Sequence, residues 1–412
     1  MMENATKPSD SVAADALSAK LTLPCGLVLR NRIVKSAMSD GLGDGAGRPT
    51  HEQVRLYERW ADGGAALAII GEVQVDACHP ENAGNLVLAD DTSIAALRPI
   101  AEAGSRGGAH IWPQLGHAGA LTPPAIGPAV GPSPLDLPGL TCIGMMQDTV
   151  AQLPEIYAAG AARARAAGFS GVQIHAGHGF LLSQFLSPLF NRRDDAYGGS
   201  IAGRGRIVLE IISAIRRATD LSFAIGIKIN SSDQLEGGLS EEEALAFVDM
   251  LDGTSVDLID ISGGTYFPGA TASSDRKSTD DAAFFSAFAK RARKRTDIPL
   301  MLTGGITGTA QADDIISSGT ADAVGLARAM VLDPTLPRTW LSAAPEDPAY
   351  PVFDAPVKGG VTAWYTMRLA AIGEDRADAF ALTPQEALAA CDARDQQRNR
   401  IWRGTFFGQE KN

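Results

Sequence analysis

Short apolar runs alternate with amphipathic stretches along most of this chain. Eight runs rich in Val, Ile, Leu and Ala lack the polar alternation of a half-exposed strand, so each predicts a β-strand buried on both faces. They span residues 31–38, 66–73, 109–115, 171–176, 223–230, 256–262, 298–305 and 321–327. Helical periodicity between them predicts helices over segments such as 50–64, 204–220 and 239–253, the last with a capping box from Ser240 to Glu243.

The order of these elements indicates one large α/β domain. Eight strand–helix units in succession predict a closed (β/α)8 TIM barrel over residues 19–340. An open doubly wound sheet is the alternative, but no G-x-G-x-x-G follows the first strand to support dinucleotide binding there. Residues 21–31 predict an N-terminal β-hairpin that closes the barrel floor, and the Pro/Gly-rich segment 118–147 predicts a long functional loop.

The two ends of the chain differ from the barrel pattern. Residues 1–18 are polar and predict a flexible N-terminus without a signal peptide. Residues 341–412 begin with a proline-rich segment and continue as helices. This C-terminal extension is expected to pack on the barrel or on a neighbouring subunit, so a homo-oligomer is among the predictions.

Composition and charge exclude several classes of partner. Of the 412 residues, 45% are hydrophobic and 20% charged, and the formal net charge is −12 without a basic stripe, which argues against nucleic acid and anionic membranes. No apolar run reaches the roughly 18–20 residues that a transmembrane helix needs. The four cysteines form no C-x-x-C pair, so neither a metal site nor an iron–sulfur cluster is predicted, and a reducing cytoplasm is favoured.

Candidate chemistry gathers at the carboxyl ends of the predicted strands, where TIM barrels hold their active sites. Polar side chains occur in the last positions of these apolar strands or just after them, namely Gln114, His175, His178, Lys228 and Tyr266. The last two strand ends, "LTGGIT" and "GLARA", supply small residues and an arginine suited to a phosphate group. A tight Gly–Gly turn beside a surface arginine is the alternative reading of this feature.

Several motifs together point to a known family. "NRIVKSAMS", "PQLGHAG", "QIHAGHGFLLSQFLSPLFNRRDDAYGGS", "GIKINSSD", "TGGI" and "ADAVGLARAMVLDP" occur in this order between about residues 20 and 335. They resemble the old yellow enzyme family of FMN-dependent ene-reductases. The resemblance implies one FMN at the barrel mouth, reduced by NADH or NADPH, and a hydride passed from flavin N5 to a small, electron-poor alkene. Because the chain lacks iron–sulfur cysteines, electrons are expected to enter directly from the nicotinamide.

The resemblance also implies roles for individual residues. His175 and His178 match the pair that binds the substrate oxygen, where two N–H donors would draw electron density from a conjugated C=C bond. Gln114 matches the contact to the flavin pyrimidine edge, and Lys228 matches the cation beside flavin N1 and O2. The remaining cofactor-binding positions implied are Ala37, Met38, Ser39 and Val73 near the ring, and Gly304, Gly305, Gly325, Ala327 and Arg328 near the phosphate.

Two of these positions depart from the family pattern. Ser39 stands where relatives carry cysteine or threonine near flavin O4 and N5; its hydroxyl can donate to O4 or can simply belong to a turn. Phe180, expected to contact substrate, stands where many relatives have the tyrosine that protonates the substrate α-carbon. Tyr266 is the preferred replacement acid. Water, or a reaction such as nitro reduction or substrate desaturation that needs no carbon protonation, is the alternative.

Two alternative functions belong to other classes of protein. Lys228 at a strand end could form a Schiff base, as the lysine of a barrel aldolase does. A flavin-binding protein that lost activity together with its tyrosine is the non-enzymatic alternative.

Overall fold

Eight parallel strands close into a barrel in this protein. The computed structural model describes residues 13–90, 92–267 and 283–408. The barrel strands, β1 to β8 in chain order, are Ile33–Lys35, Leu67–Gln74, His110–Gly116, Gly171–Ala176, Ala224–Asn230, Leu258–Ser262, Leu300–Thr303 and Ala323–Leu326. Each strand pairs with its sequence neighbours, and β1 closes the barrel by pairing with both β8 and β2. The predicted (β/α)8 fold is therefore confirmed.

Helices surround the barrel and follow the strands. The α-helices are Ala13–Ser18, His51–Asp62, Thr92–Gly104, Gln147–Ala167, Leu181–Leu186, Ile201–Ala218, Glu241–Leu251, Ser286–Ala292, Thr309–Ser317, Arg328–Leu332, Leu336–Trp340, Gly360–Gly373 and Pro384–Phe406, with 3-10 turns at Arg106–Gly108, Gly119–Leu121 and Ala377–Ala379. The capping box predicted at Ser240 and Glu243 is present, with both reciprocal hydrogen bonds formed. None of the helices in the described part of the chain has the length and apolar character needed to cross a membrane.

The lower half of the barrel interior is a closed apolar core. Val34, Leu67, Trp112 and Met301 belong to one buried cluster that also contains leucines of the N-terminal hairpin. That hairpin, Leu21–Thr22 paired antiparallel with Val28–Leu29, seals the amino-terminal end of the barrel. Polar groups inside the barrel are thereby confined to the opposite end, where the strands finish.

The segment 118–147 contains more structure than its composition predicts. Three short strands, Val130–Gly131, Leu135–Leu137 and Leu140–Gly144, form a small separate sheet. Another short strand, Leu86–Val87, extends the end of β2. Strands of two to five residues interrupted by Pro and Gly leave no period-2 pattern long enough to read from sequence.

The C-terminal helices pack on the barrel of their own chain. Gly360–Gly373 and Pro384–Phe406 contact each other, and Gly360–Gly373 also contacts the helix His51–Asp62. Trp402 Nε1 donates to Ala77 O at 3.0 Å, and the Arg398 guanidinium donates to Gly41 O. These contacts hold the loops that follow β1 and β2, which form one side of the barrel mouth.

Candidate active site

A network of buried polar side chains lies above the apolar core. Gln114 Nε2 donates to Gln173 Oε1 at 2.6 Å, and Gln173 Nε2 donates to Asp260 Oδ2 at 3.1 Å. Lys228 Nζ lies 3.1 Å from the same carboxylate oxygen and donates to Ser36 Oγ at 3.1 Å. The network joins four strands, and it brings two of the predicted flavin contacts, Gln114 and Lys228, into one layer.

The charge of Lys228 is balanced inside the barrel. Lys228 is 1% exposed and Asp260 is fully buried, and Thr303 Oγ1 donates a further hydrogen bond of 2.6 Å to Asp260 Oδ1. Lys228 and Asp260 are direct partners in the register of β5 and β6. Sequence reasoning missed Asp260 and Gln173. The signal was present, since both are polar residues inside strands whose other positions are almost wholly apolar.

The two predicted histidines lie together at the end of β4. Their ring centres are 5.1 Å apart and the rings are nearly perpendicular. His178 has a left-handed backbone with φ 60°, and its N–H donates to Asn230 Oδ1 at 2.9 Å. Its ring Nε2 is hydrogen-bonded to Ser262 Oγ at 2.9 Å. Side chains from β5 and β6 therefore set the orientation of His178.

Both histidines are neutral in this environment. Burial, His178 and Lys228 hold the pKa of His175 well below its ordinary value. Burial and Lys228 lower the pKa of His178 to about 3. His175 Nδ1 accepts a long hydrogen bond of 3.4 Å from the Gly177 N–H, which assigns the ring proton to Nε2. Neither ring therefore adds a charge, and His175 carries an N–H donor at Nε2.

Aromatic rings line the site beside the histidines. Phe180 is buried, and its ring centre lies 5.0 Å from that of His175 and 5.8 Å from that of Tyr266. The Tyr266 N–H donates to His178 O, and the Tyr266 ring lies 5.9 Å from the His178 ring. Although 65% of Tyr266 is exposed, the surrounding protein and the carboxyls of Glu81 and Glu72 raise its pKa to about 12. The phenol is close to the pair but is a weaker acid than an ordinary tyrosine.

Two carboxyl groups without a role predicted from the sequence lie in this region. Glu72 is near the end of β2, and Glu81 is in the loop that follows β2. Glu72 is 4% exposed, and its Oε1 lies 3.3 Å from His175 Nε2. Burial and the charge of Glu81 raise the pKa of Glu72 well above its ordinary value. Burial likewise raises the pKa of Glu81. A glutamate inside the apolar run "ALAIIGEVQV" was the available signal for Glu72.

The residues after β1 and in β2 that are predicted to contact the flavin ring differ in which of their atoms are available for that contact. Ser39 Oγ donates to Glu81 Oε2 at 3.0 Å, so its proton already has an acceptor. The Met38 and Ala37 backbone packs closely on Gly71, where an added Cβ would lie 2.8 Å from Met38 N. The side chain of Val73 is buried in the core between strands and helices. Val73 can therefore reach a ligand at the mouth only through its backbone.

The predicted phosphate positions lie side by side at the ends of β7 and β8. Thr303 and Gly325 are register partners, and Gly304 and Gly305 both have positive φ, 122° and 74°. An added Cβ would lie 3.0 Å from Phe285 at Gly304, 3.0 Å from Phe284 at Gly305, and would overlap Thr303 Oγ1 at Gly325. Arg328 begins the helix after Ala327, and its guanidinium lies 5.8 Å from the Tyr365 ring centre. Glycine is therefore required at these three positions by contacts with Phe284, Phe285 and Thr303, and the positions lie beside the start of the helix that Arg328 begins.

One further group of possible metal ligands occurs among the residues described. His79 Nε2 lies 3.8 Å from Asp76 Oδ2, and the His79 and His117 rings stack with centres 4.6 Å apart. His117 Nδ1 accepts the Gly119 N–H at 3.0 Å, so the neutral ring carries its proton on Nε2. His79 Nδ1 is hydrogen-bonded to Pro128 O. Ring stacking and these hydrogen bonds account for the group.

A barrel with buried ionisable groups at the carboxyl ends of its strands has the architecture of a TIM-barrel enzyme. Residues 25–346 match the NADH:flavin oxidoreductase / NADH oxidase family, and the chain belongs to this family. The family is FMN-dependent and uses NADH or NADPH as reductant. The resemblance to the old yellow enzyme family, the oxidoreductase class, and the cofactor and reductant predicted from sequence are thereby confirmed.

Individual relatives are 25–35% identical to this chain over the aligned residues. The NADH-dependent flavin oxidoreductase iliE of Neonectria sp. (strain DH2) is 35% identical over 80% of this chain, but the chain spans only 47% of that protein's length. The iliE protein of Hypocrea jecorina (strain QM6a) is 33% identical over 78% of this chain and 88% of its own length. The structure of morphinone reductase in complex with tetrahydroNAD matches with TM-score 0.69 and 25% identity, over 81% of this chain and 92% of that one.

Proposed function

We propose that this protein reduces electron-poor alkenes, such as enones, at the expense of NADH or NADPH. FMN held by residues of the barrel mouth would supply the chemistry of hydride transfer from the nicotinamide to the substrate. The observation that carries the proposal is the neutral pair His175 and His178 at the mouth of a barrel whose interior holds Gln114 and Lys228. Two uncharged N–H donors suit a carbonyl oxygen that gains negative charge during the reaction.

The residues that we propose hold FMN are those implied by the family resemblance. The Gln114 amide would bind the pyrimidine edge, and Lys228 would contribute a positive charge beside it. The backbone of Ala37, Met38 and Val73 and the hydroxyl of Ser39 would contact the ring. Gly304, Gly305, Gly325, Ala327 and Arg328 would hold the phosphate.

The chain's own residues would prepare the substrate for hydride. His175 and His178 would bind its oxygen, and Phe180 and Tyr266 would form the apolar and aromatic walls around it. Lys228 together with Asp260 keeps the layer beneath the site ordered and excludes water from it, since both are buried. Tyr266 is the acid that the sequence favours, but its raised pKa makes proton donation by it less effective.

Anaerobic half-reactions test this proposal. The protein is loaded with FMN, reduced with NADH or NADPH, and mixed with 2-cyclohexenone while flavin absorbance is followed. We expect bleaching by a nicotinamide and recovery by the enone, and we expect the double variant His175→Ala/His178→Ala to bleach but not recover. A protein that takes up no FMN, or a reduced protein that the enone does not reoxidise, would overturn the proposal.

A second function is favoured by one observation. Phe180 cannot donate a proton, so a reaction that needs no carbon protonation, such as nitro reduction or substrate desaturation, suits the same site. Reoxidation by a nitroaromatic but not by 2-cyclohexenone would select nitro reduction. A protein that binds FMN but is never bleached by NADH or NADPH would instead be a flavin binder without activity.

A Schiff-base lyase receives less support. Its lysine must present a neutral amine to an aldehyde, whereas Lys228 is buried and paired with Asp260 at 3.1 Å. Borohydride trapping with an aldehyde would label Lys228 if this function were correct.

The cellular location and the partners of the protein are proposals as well. We propose a reducing, cytoplasmic location, because Cys25, Cys78, Cys142 and Cys391 are all unpaired in the described structure. The acidic charge supports a small-molecule partner rather than nucleic acid or an anionic membrane. A homo-oligomer stays a prediction.

A further inference from the structure

Glu72 presents an unpartnered oxygen to the site. Its Oε2 accepts a hydrogen bond of 3.1 Å from Gln74 Nε2, but its Oε1 accepts none from any residue that the structure describes. Oε1 lies 3.3 Å from His175 Nε2 without the alignment of a hydrogen bond. Residue 116 must be glycine for this placement, because a Cβ there would lie 2.6 Å from Glu72 Oε2. A buried polar atom left without a partner in a folded protein calls for a ligand or a chemical role.

The surroundings of Glu72 disfavour the charged form of its carboxyl and raise its pKa well above the ordinary value. Burial is the largest cause and the charge of Glu81 the second, while the hydrogen bond from Gln74 and the charge of Lys228 act in the opposite direction. Its other ionisable neighbour, His175, is neutral. This carboxyl, whose charged form is disfavoured, lies against the residue expected to bind the substrate oxygen.

The site needs an acid that Phe180 cannot supply. Reduction of an alkene adds a hydride to one carbon and a proton to the other, and Phe180 has no exchangeable proton. Tyr266 is 65% exposed and has a pKa of about 12, far above working pH. General acids act best when their pKa lies near the pH of the reaction, and a raised pKa moves a carboxyl toward that pH but moves a phenol away from it.

We propose that Glu72 donates the proton that completes alkene reduction, in place of the tyrosine that Phe180 replaces; this inference rests on the proposed function. The hydride forms a C–H bond at the β-carbon, and the π electron pair moves to the α-carbon. That carbon takes the proton of the Glu72 carboxyl, so the alkene gains two electrons and the flavin loses them. The Glu72 carboxylate that results faces the His175 N–H, and solvent water returns its proton.

Glu72→Gln in the FMN-loaded protein tests the proposal, because it keeps the shape and removes the acid. The reduced protein is mixed in separate experiments with 2-cyclohexenone, which needs carbon protonation, and with 1,4-benzoquinone, which does not. We expect the enone reaction to slow by about 10²–10⁴ relative to the quinone reaction, the range typical of general acid catalysis. Adding Phe180→Tyr to Glu72→Gln should restore much of the enone rate. Glu155→Gln, the same change on the exposed surface, is the matched control.

The outcomes separate the inference from the function on which it rests. If Glu72→Gln slows the enone and quinone reactions equally, or slows neither, the role of Glu72 is overturned. Loss of the enone reaction in Tyr266→Phe alone would assign the proton to Tyr266. A wild-type protein that reduces quinone but no enone would overturn the proposed function itself. If Glu72→Gln fails to bind FMN, Glu72→Asp keeps the acid one methylene further back. A selective loss of enone rate in that variant then supports the role, and an unchanged ratio of the two rates overturns it.

Discussion

The buried pair of Lys228 and Asp260 makes a prediction that can be worked through from distances and burial. Asp260→Asn removes the anion 3.1 Å from Lys228 Nζ and leaves the ammonium with the Ser36 hydroxyl. Breaking a buried pair by removing one partner typically costs about 3–5 kcal/mol. Proton loss limits the part of this cost that comes from the unpaired charge, because neutralising a lysine of ordinary pKa at pH 7 costs about 5 kcal/mol. Disturbed hydrogen bonds from Gln173 and Thr303 would add to it.

The opposite variant, Lys228→Met, should cost somewhat less. Asp260 keeps hydrogen bonds from Gln173 and Thr303, and protonating an ordinary aspartate at pH 7 costs at most about 4 kcal/mol. The double variant Lys228→Met/Asp260→Asn contains no unpaired charge. Its loss of stability should therefore be well below the sum of the two single losses, with a coupling of about 2–3 kcal/mol or more.

Equilibrium unfolding in urea provides the measurement. FMN is removed from every variant first, because a ligand that binds only the folded state would add its own binding free energy to each value. Tryptophan fluorescence reports unfolding, since Trp112 is buried within the same barrel. Single variants that each lose less than about 1 kcal/mol, the range of exposed pairs, or a double variant whose loss equals the sum, would show that the two charges are not coupled as the structure indicates.

Three further predictions concern single side chains. His178→Ala should weaken binding of a phenol inhibitor by tenfold or more while FMN stays bound, since a hydrogen bond to a charged oxygen contributes about 1.5–3 kcal/mol; unchanged affinity on flavin-absorbance titration would remove His178 from the substrate site. Tyr266→Phe should leave nicotinamide reduction of the flavin unchanged in stopped-flow absorbance, and a slower reduction would place Tyr266 in nicotinamide binding. Lys35 has no hydrogen-bond partner among the described residues, lies 4.3 Å from the Trp60 ring centre, and has a pKa lowered by burial to about 7. The unfolded chain therefore binds the extra proton between about pH 7 and 10, so the free energy of unfolding should rise by about 2 kcal/mol from pH 7 to pH 9. That rise should vanish in Lys35→Met but persist in the exposed control Lys290→Met.

The amino-acid sequence by itself determined the barrel and most of the residues at its mouth. Parallel strands buried on both faces must be continuously apolar, so their runs stand out, and the polar residues that end them mark the site. His175, His178, Gln114 and Lys228 are found in this way. Strand bounds were less well determined. Residues 31–38 read as one strand, but β1 is Ile33–Lys35, because the residues that follow leave the ladder to form the mouth.

Only the tertiary structure decided which polar groups meet. The register of β5 and β6 joins Lys228 to Asp260, which lie 32 positions apart in the chain. The fold brings β2 and β4 to either side of β3, and Gly116 leaves the space in which Glu72 reaches His175. A pattern along one strand reports which face is buried, but contacts between strands depend on barrel closure and strand stagger, which no local pattern encodes.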